Sequence, residues 1–260
     1  MFAPLMFWGA IAVLSMLFHT RTLPLVAVAV AALGIGFIFA FRRASSFFRA
    51  QDRLRRQLMA DVAHELRTPL TILQGRVEGM TDGVYPRDDA QIVGLLDEVK
   101  HLSRLVEDLR TIANAEAGAL DLRKELVNPS DLIREAAGAF DRKIDVDAAD
   151  EMPLLNLDPV RIREVLLNLL SNAVRHSEGA ITVHAEMQPR RLVIRVIDTG
   201  RGIPPEELPR IFDRFHKGRD SHGSGLGLAI AQTLMKAHGG TIGVTSTVGQ
   251  GTTVTVSLPR

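Results

Sequence analysis

Apolar positions fall into distinct stretches along the chain, each with its own period. Met1 to Phe18 is apolar apart from Ser15, and Leu23 to Phe41 is wholly apolar. Each approaches the roughly 20 residues that a helix needs to cross a bilayer. Only His19-Thr20-Arg21-Thr22 separates them. This predicts a hairpin of two transmembrane helices with both ends on one side, and four residues leave no room for an external sensor domain. Residues 42–58 are basic and amphipathic and contain no Gly or Pro. They run into a stripe at Leu54, Leu58, Val62, Leu66, Leu70, Leu73, Val77 and Met80. Spacings of three and four predict one helix continuing from the membrane.

That helix should end in the turn-rich run Thr81-Asp82-Gly83-Val84-Tyr85-Pro86. A second helix follows, with Ile92, Leu95, Val99, Leu102, Val106, Leu109 and Ala113 alternating by three and four. Asp88 or Asp89 would cap its start and Gly118 would stop it. Two strong stripes on two helices predict a dimeric four-helix bundle. The competing solution is packing within one chain against the part that follows.

From about Leu120 the pattern changes to short strands mixed with helices. Ile144–Asp147 and Leu154–Leu157 read as strands. Asp158-Pro159 opens a helix from Val160 to His176, with Asp as N-cap and Pro in the first turn. Ile181–Met187 and Arg191–Asp198 alternate as a hairpin. A helix from Ala229 to His238 and strands at Thr241–Ser246 and Thr252–Leu258 close the chain. The expected class is α+β, with helices packed on one face of a mixed sheet.

Charge sharpens the membrane reading. The chain has 260 residues, 46% of them hydrophobic, and a net charge of +1, so nothing global favours nucleic acid. Yet the first 41 residues carry one charged side chain, Arg21. Arg42, Arg43, Arg49, Arg53, Arg55 and Arg56 follow the second span, which places that side in the cytoplasm. A cleaved signal peptide is the rival reading, but the start is not basic and Leu17-Phe18-His19 is a poor cleavage site. The absence of cysteine fits a cytosolic catalytic part.

Candidate chemistry lies off the apolar stripes. His64 points about 200° away from its helix's stripe, so it should stand in solvent. Arg67 and Thr68 share its face, and Pro69 lacks the N–H that would bond the carbonyl of Glu65. On the helix after Asp158, the four-residue steps Glu164, Asn168 and Asn172 form a polar line on one face. Carboxylate and amide oxygens in line suit a hard cation such as Mg²⁺. Asp198-Thr199-Gly200-Arg201-Gly202 sets a carboxylate at a strand end before two glycines. Gly223-Ser224-Gly225-Leu226-Gly227-Leu228 enters a helix, where bare N–H groups suit phosphate. Between these glycine motifs lies an irregular stretch with Pro204, Pro205, Pro209, Phe212, Phe215, Lys217 and Arg219. It reads as a lid rather than a surface loop anchored by two phenylalanines.

Together these pieces resemble bacterial sensor histidine kinases of two-component systems. His64-Glu65-Leu66-Arg67-Thr68-Pro69-Leu70 looks like the H box and Asn168-Leu169-Leu170-Ser171-Asn172-Ala173 like the N box. Asp198–Gly202 resembles the G1 box, Phe212-Asp213-Arg214-Phe215 the F box, and Gly223–Leu228 the G2 box. The likeness covers about residues 50–260. It implies a dimerisation and phosphotransfer hairpin over 58–118 and a Bergerat-type ATP-binding α+β sandwich over 119–260, to which the hydropathy pattern adds two transmembrane helices over 1–41 and a signalling helix over 42–57.

By this resemblance His64 is the phosphorylated nucleophile and Glu65 assists proton transfer. Thr68 with Glu65 serves dephosphorylation of the partner. Mg²⁺ falls to Asn172 with Asn168 and Glu164. Asp198 binds the adenine amine. Arg175, Gly200, Gly202, Gly223, Gly225, Leu226 and Gly227 complete the nucleotide site, and Lys217 reaches the phosphates. The phosphoryl group then passes to an aspartate of a response regulator.

Arg175 stands where the family often has Lys, and His176 where an aromatic is common. The segment from Ala136 to Ile144 is short, which leaves the local strand register open. No HAMP-like or PAS-like module fits between Phe41 and His64. The expectation is therefore an intramembrane-sensing homodimer in the bacterial cytoplasmic membrane, both termini inside, its stimulus read in the bilayer or delivered by a membrane protein. A membrane-bound nucleotide-binding adaptor with little kinase activity is the alternative. A chaperone- or topoisomerase-like ATPase is disfavoured by the H box.

Overall fold

The computed structural model describes residues 8–9, 11, 31–34, 36–37, 59–218 and 224–260. Among the described residues no helix is long and apolar enough to cross a membrane. The expected spans and the juxtamembrane helix fall outside the described residues, apart from the scattered positions below 59, which are helical. Residues 1–64 and 65–260 form two compact units.

Helix α1 occupies residues 59–81. The helical assignment runs on across Pro69, which is buried. Helix α2, Asp89–Glu116, starts at the N-cap Asp88, whose carboxylate accepts from the Gln91 amide at 3.0 Å. Its burial differs from the heptad reading. Ile92 and Val106, both on the expected stripe, are each 56% exposed, whereas Leu105 and Ile112 are 2% and 1% exposed. Those two side chains join the core formed by the sheet and the later helices. One face of α2 therefore packs within the chain, which was the competing solution, and the heptad stripe is divided: Ile92, Val99 and Val106 stay exposed, while Leu95, Leu102 and Leu109 are half-buried. On α1 the stripe is likewise uncovered at Leu70 and Val77.

The α/β part begins with β1 (Glu125–Val127), α3 (Pro129–Gly138), β2 (Asp145–Ala148) and β3 (Leu155–Leu157). It continues with α4 (Pro159–His176), β4 (Ile181–Gln188), β5 (Arg191–Asp198), α5 (Gly227–Ala237), β6 (Thr241–Thr247) and β7 (Gly251–Pro259). The main sheet has the order β2-β4-β5-β7-β6. β2 pairs parallel with β4, and the remaining pairs are antiparallel, so the sheet is mixed. β1 and β3 form a separate antiparallel ribbon. The sequence pattern predicts neither β1 nor α3 individually, because a three-residue strand and a ten-residue helix give too few periods to register. The doubtful register after Ala136 resolves as α3 followed by β2, with Val146 opposite Val183.

Alternation explains the layers. Val183, Ala185, Ile194, Val196, Val254 and Val256 point to one face of the sheet and are buried. Against them lie Ile162, Val165, Leu166 and Leu169 of α4 and Ile230 and Leu234 of α5. α4 is fixed at its start by the buried Asp158. One carboxylate oxygen accepts from the Arg161 amide at 3.0 Å and the other from the Arg123 amide at 2.9 Å. The Asp158 amide donates to His238 Nε2 at 3.3 Å. His238 Nδ1 in turn meets the Leu234 carbonyl at 2.8 Å, which makes Nδ1 the protonated nitrogen. Burial holds this imidazole below its ordinary titration range.

The packing of α2 sets the first expected result. Leu105→Ala should lower the unfolding free energy by about 2–5 kcal/mol through the cavity it leaves. Val106→Ala should leave it within about 0.5 kcal/mol in a single chain. Urea unfolding of the two variants at equal concentration measures the difference, and equal effects would contradict the observed orientation of α2.

Candidate nucleotide site

A cleft opens between α4, the loop after β5, the start of α5 and one side of α2. It has two adjoining lobes. One, of about 320 Å³, is bordered by Asp198, Gly202, Ile203, Pro204, Val248 and Thr252. The other, of about 170 Å³, is bordered by Asn168, Asn172, Arg175, Gly225 and Gly227 together with His101, Arg104 and Asp108 of α2. Asn172, Ile211, His216 and Leu228 border both.

The first lobe is built on the end of β5. Asp198 lies in register with Thr252 of β7 and with Ile181 of β4, and is 8% exposed. One of its oxygens accepts from the Gly200 amide at 2.8 Å. Gly251 makes this close turn possible. Its φ is +116°, and a Cβ there would fall 1.9 Å from the Asp198 carbonyl oxygen. His176 also borders this lobe, and burial with the Arg201 and Arg175 charges holds its imidazole below the usual range.

The second lobe is built on the polar line of α4. Asn168 and Asn172 both border it, one turn apart. Their amide oxygens fit a hard cation, since such ions take oxygen ligands. Glu164 lies a further turn back and does not border either lobe. Its carboxylate is held by Arg161 at 2.8 Å. Gly227 opens α5 beside Asn168, and the N-cap Leu226 offers no side-chain hydrogen bond to the first turn. The N–H groups there remain available to an anion. Leu226 itself is fully buried in the core, so its part is to anchor the loop. Gly223 lies outside the described residues.

The hairpin residues are placed less uniformly. His64 and Thr68 are exposed on α1, and Glu65 is half-buried. Lys217 borders neither lobe. Its ammonium lies 2.7 Å from the Glu65 carboxylate, so the structure brings it to the hairpin and not to the cleft. Arg214, also in the segment between the glycine motifs, pairs with Glu116 at the end of α2.

Sequence reading missed Asp108 and His216. Asp108 sits on α2 with no motif around it. Burial, reinforced by the nearby Glu164 charge, pushes its carboxyl up to about 6. The ionised form is disfavoured in the fold. The stability this group contributes is therefore present below its unfolded value near 3.8 and is lost as pH rises through about 6. Asp108→Asn should melt at a higher temperature than the parent at pH 8, with the gap closing toward pH 4. A gap that does not change with pH, followed by thermal melts, would remove burial as the cause.

Residues 54–118 match the family described as the His Kinase A (phospho-acceptor) domain. Residues 157–260 match the histidine kinase-, DNA gyrase B-, and HSP90-like ATPases. Sensor protein SrrB of Staphylococcus aureus (strain N315) is 34% identical over 226 residues, which is 80% of this chain and 39% of SrrB. The chain thus spans about two-fifths of the length of that curated relative. The solved Acinetobacter baumannii histidine kinase AdeS matches with a TM-score of 0.65 at 32% identity, over 75% of this chain and 97% of that one. Full-length ShkA, solved in complex with AMPPNP, matches with a TM-score of 0.58 at 30% identity over 78% of this chain and 45% of its own. Histidine kinase ThkA, solved with the response regulator protein TrrA, matches with a TM-score of 0.62 at 25% identity over 78% and 61%.

Proposed function

For a chain that belongs to the two-component sensor histidine kinases, we propose an ATP-dependent kinase that phosphorylates its own His64 and passes the phosphoryl group to a response regulator. The observation that carries this reading is the two-lobed cleft. Asp198 at the base of one lobe presents a carboxylate acceptor for an adenine amine. The other lobe offers amide oxygens, Arg175 and an uncapped helix start to the phosphates.

The chemistry asks mainly for positioning and charge neutralisation. A neutral imidazole nitrogen of His64 attacks the γ-phosphorus, the new N–P bond forms, and the bridging P–O bond breaks to release ADP. Glu65, next along α1, takes the ring proton. Asn172, Asn168 and Glu164 would hold Mg²⁺, which offsets phosphate charge when bound. Glu164 reaches it only by leaving Arg161. The His64 phosphoryl group then moves to a carboxylate oxygen of the regulator's aspartate. Thr68, on the same helix face, positions water for the reverse task of dephosphorylating that aspartate.

The exposed heptad positions of α2, Ile92 and Val106 among them, support a homodimer in which a second copy covers them. AMPPNP in ShkA and TrrA on ThkA are ligands of those relatives and support nucleotide and regulator here by analogy. The two apolar segments before residue 42 and the arginines that follow support a bacterial cytoplasmic-membrane location with both termini inside. A membrane partner would then deliver the stimulus, and no direct nucleic-acid contact is invoked.

The test is incubation of the full chain in detergent with γ-labelled ATP and Mg²⁺. Acid-labile, base-stable label should appear on the parent and be absent from His64→Gln and Asn172→Ala. Label that survives His64→Gln, or nucleotide binding with no label on the parent, would refute the assignment.

A further inference from the structure

We propose that Arg104 of α2 contacts the nucleotide phosphates, so that a bound triphosphate fastens α2 to the catalytic part. The proposal rests on the nucleotide-binding reading above and adds to it a phosphate ligand supplied by the helical hairpin.

The contact follows from the way α2 is docked. Leu105 and Ile112, seven residues apart and both buried in the catalytic core, fix which face of the helix meets that core. His101, Arg104 and Asp108 lie on or beside this face and border the lobe built on Asn168 and Asn172. Arg104 stands about 100° round the helix from Leu105. It is therefore at the margin of the docked face and is exposed.

Its charge is unspent. The guanidinium has no hydrogen bond or ion pair among the described residues, unlike other cations nearby. Arg110 on the same helix pairs with Glu107 at 3.5 Å, and Arg161 of α4 with Glu164 at 2.8 Å. Asp108, one turn after Arg104, feels the Arg104 charge but does not pair with it. Burial and the Glu164 charge already disfavour the ionised form of that carboxyl, so it is a weak partner for an arginine.

The lobe itself names the ligand atom. From the catalytic side it receives Arg175 and the uncapped start of α5. Lys217, the cation expected from the segment between the glycine motifs, turns instead to Glu65 at 2.7 Å. The two arginines that border the lobe are then Arg175 from α4 and Arg104 from α2, on opposite walls. A planar guanidinium fork matches two phosphate oxygens, and a polyphosphate bridges the two walls. Triphosphate binding and docking of α2 are thereby linked, and each favours the other by the same factor.

The experiment uses the full chain in detergent with Mg²⁺ and measures adenosine and AMPPNP affinity by calorimetry. Arg104→Ala should weaken AMPPNP roughly five- to twentyfold, the range of a guanidinium–phosphate contact open to water on one side, and leave adenosine within about twofold. Arg104→Lys, which keeps the charge without the fork, should recover part of the loss. In an Asp108→Asn background Arg104→Ala should cost the same factor. AMPPNP should also slow amide hydrogen exchange over residues 101–112 in the parent, adenosine should not, and Arg104→Ala should remove the slowing. Equal effects of Arg104→Ala on the two compounds, or none, overturn the proposal. An effect that vanishes in the Asp108→Asn background overturns it too, because Arg104 then acts on Asp108 and not on the ligand. Slowing that survives Arg104→Ala undiminished overturns the fastening of α2. A parent chain that binds neither compound instead removes the nucleotide reading on which the proposal stands.

Discussion

The buried carboxylate of Asp158 is the constraint on which the catalytic part depends. It caps α4, ties the chain before β1 to that cap, and lies beside the amide that anchors His238 at the end of α5. These bonds fix the rotation of α4 about its own axis. Rotation matters because α4 has two incompatible faces. Ile162, Val165, Leu166 and Leu169 must lie on the sheet, while Asn168 and Asn172 must reach the cleft. A small turn of the helix would bury amides without partners, which costs far more than any local propensity could return.

The cleft is completed by segments that have little structure of their own. The lobe bordered by Asp198 needs the Asp198 backbone to pass Gly251 at a distance that no other residue allows. Its far wall comes from α2, through His101, Arg104 and Asp108. The segment between the glycine motifs is attached to the hairpin at both Glu65 and Glu116. The hairpin and the catalytic part are thus joined by a hydrophobic contact at Leu105 and Ile112 and by two ion pairs. The apolar contact supplies most of the binding energy, and partly exposed ion pairs mainly select the alignment.

Local chemistry explains which elements were legible. Asp158-Pro159 announces α4 because an N-cap and a first-turn proline act within a single turn. β4, β5, β6 and β7 alternate over enough residues for a period of two to be read. β1, three residues long, has no period to detect. The amide line of Asn168 and Asn172 was legible because four-residue spacing alone puts both on one face, and both border the cleft. The direction of Lys217 is not legible in this way, because motif order carries no information on which way a side chain turns in an irregular loop.

The sequence by itself determined the elements with strong periods, the mixed α+β class, the exposed place of His64 and the polar face of α4. All of these follow from forces acting over one or two turns or between alternating neighbours. Tertiary structure alone decided that α2 buries Leu105 and Ile112 rather than its heptad stripe. It also decided that Asp108 borders the lobe built on Asn168 and Asn172, that Lys217 pairs with Glu65, and that His216 borders both lobes. Each of these joins residues far apart in the chain. Burial, the field of a distant charge and the direction of a loop side chain exist only once those segments have met.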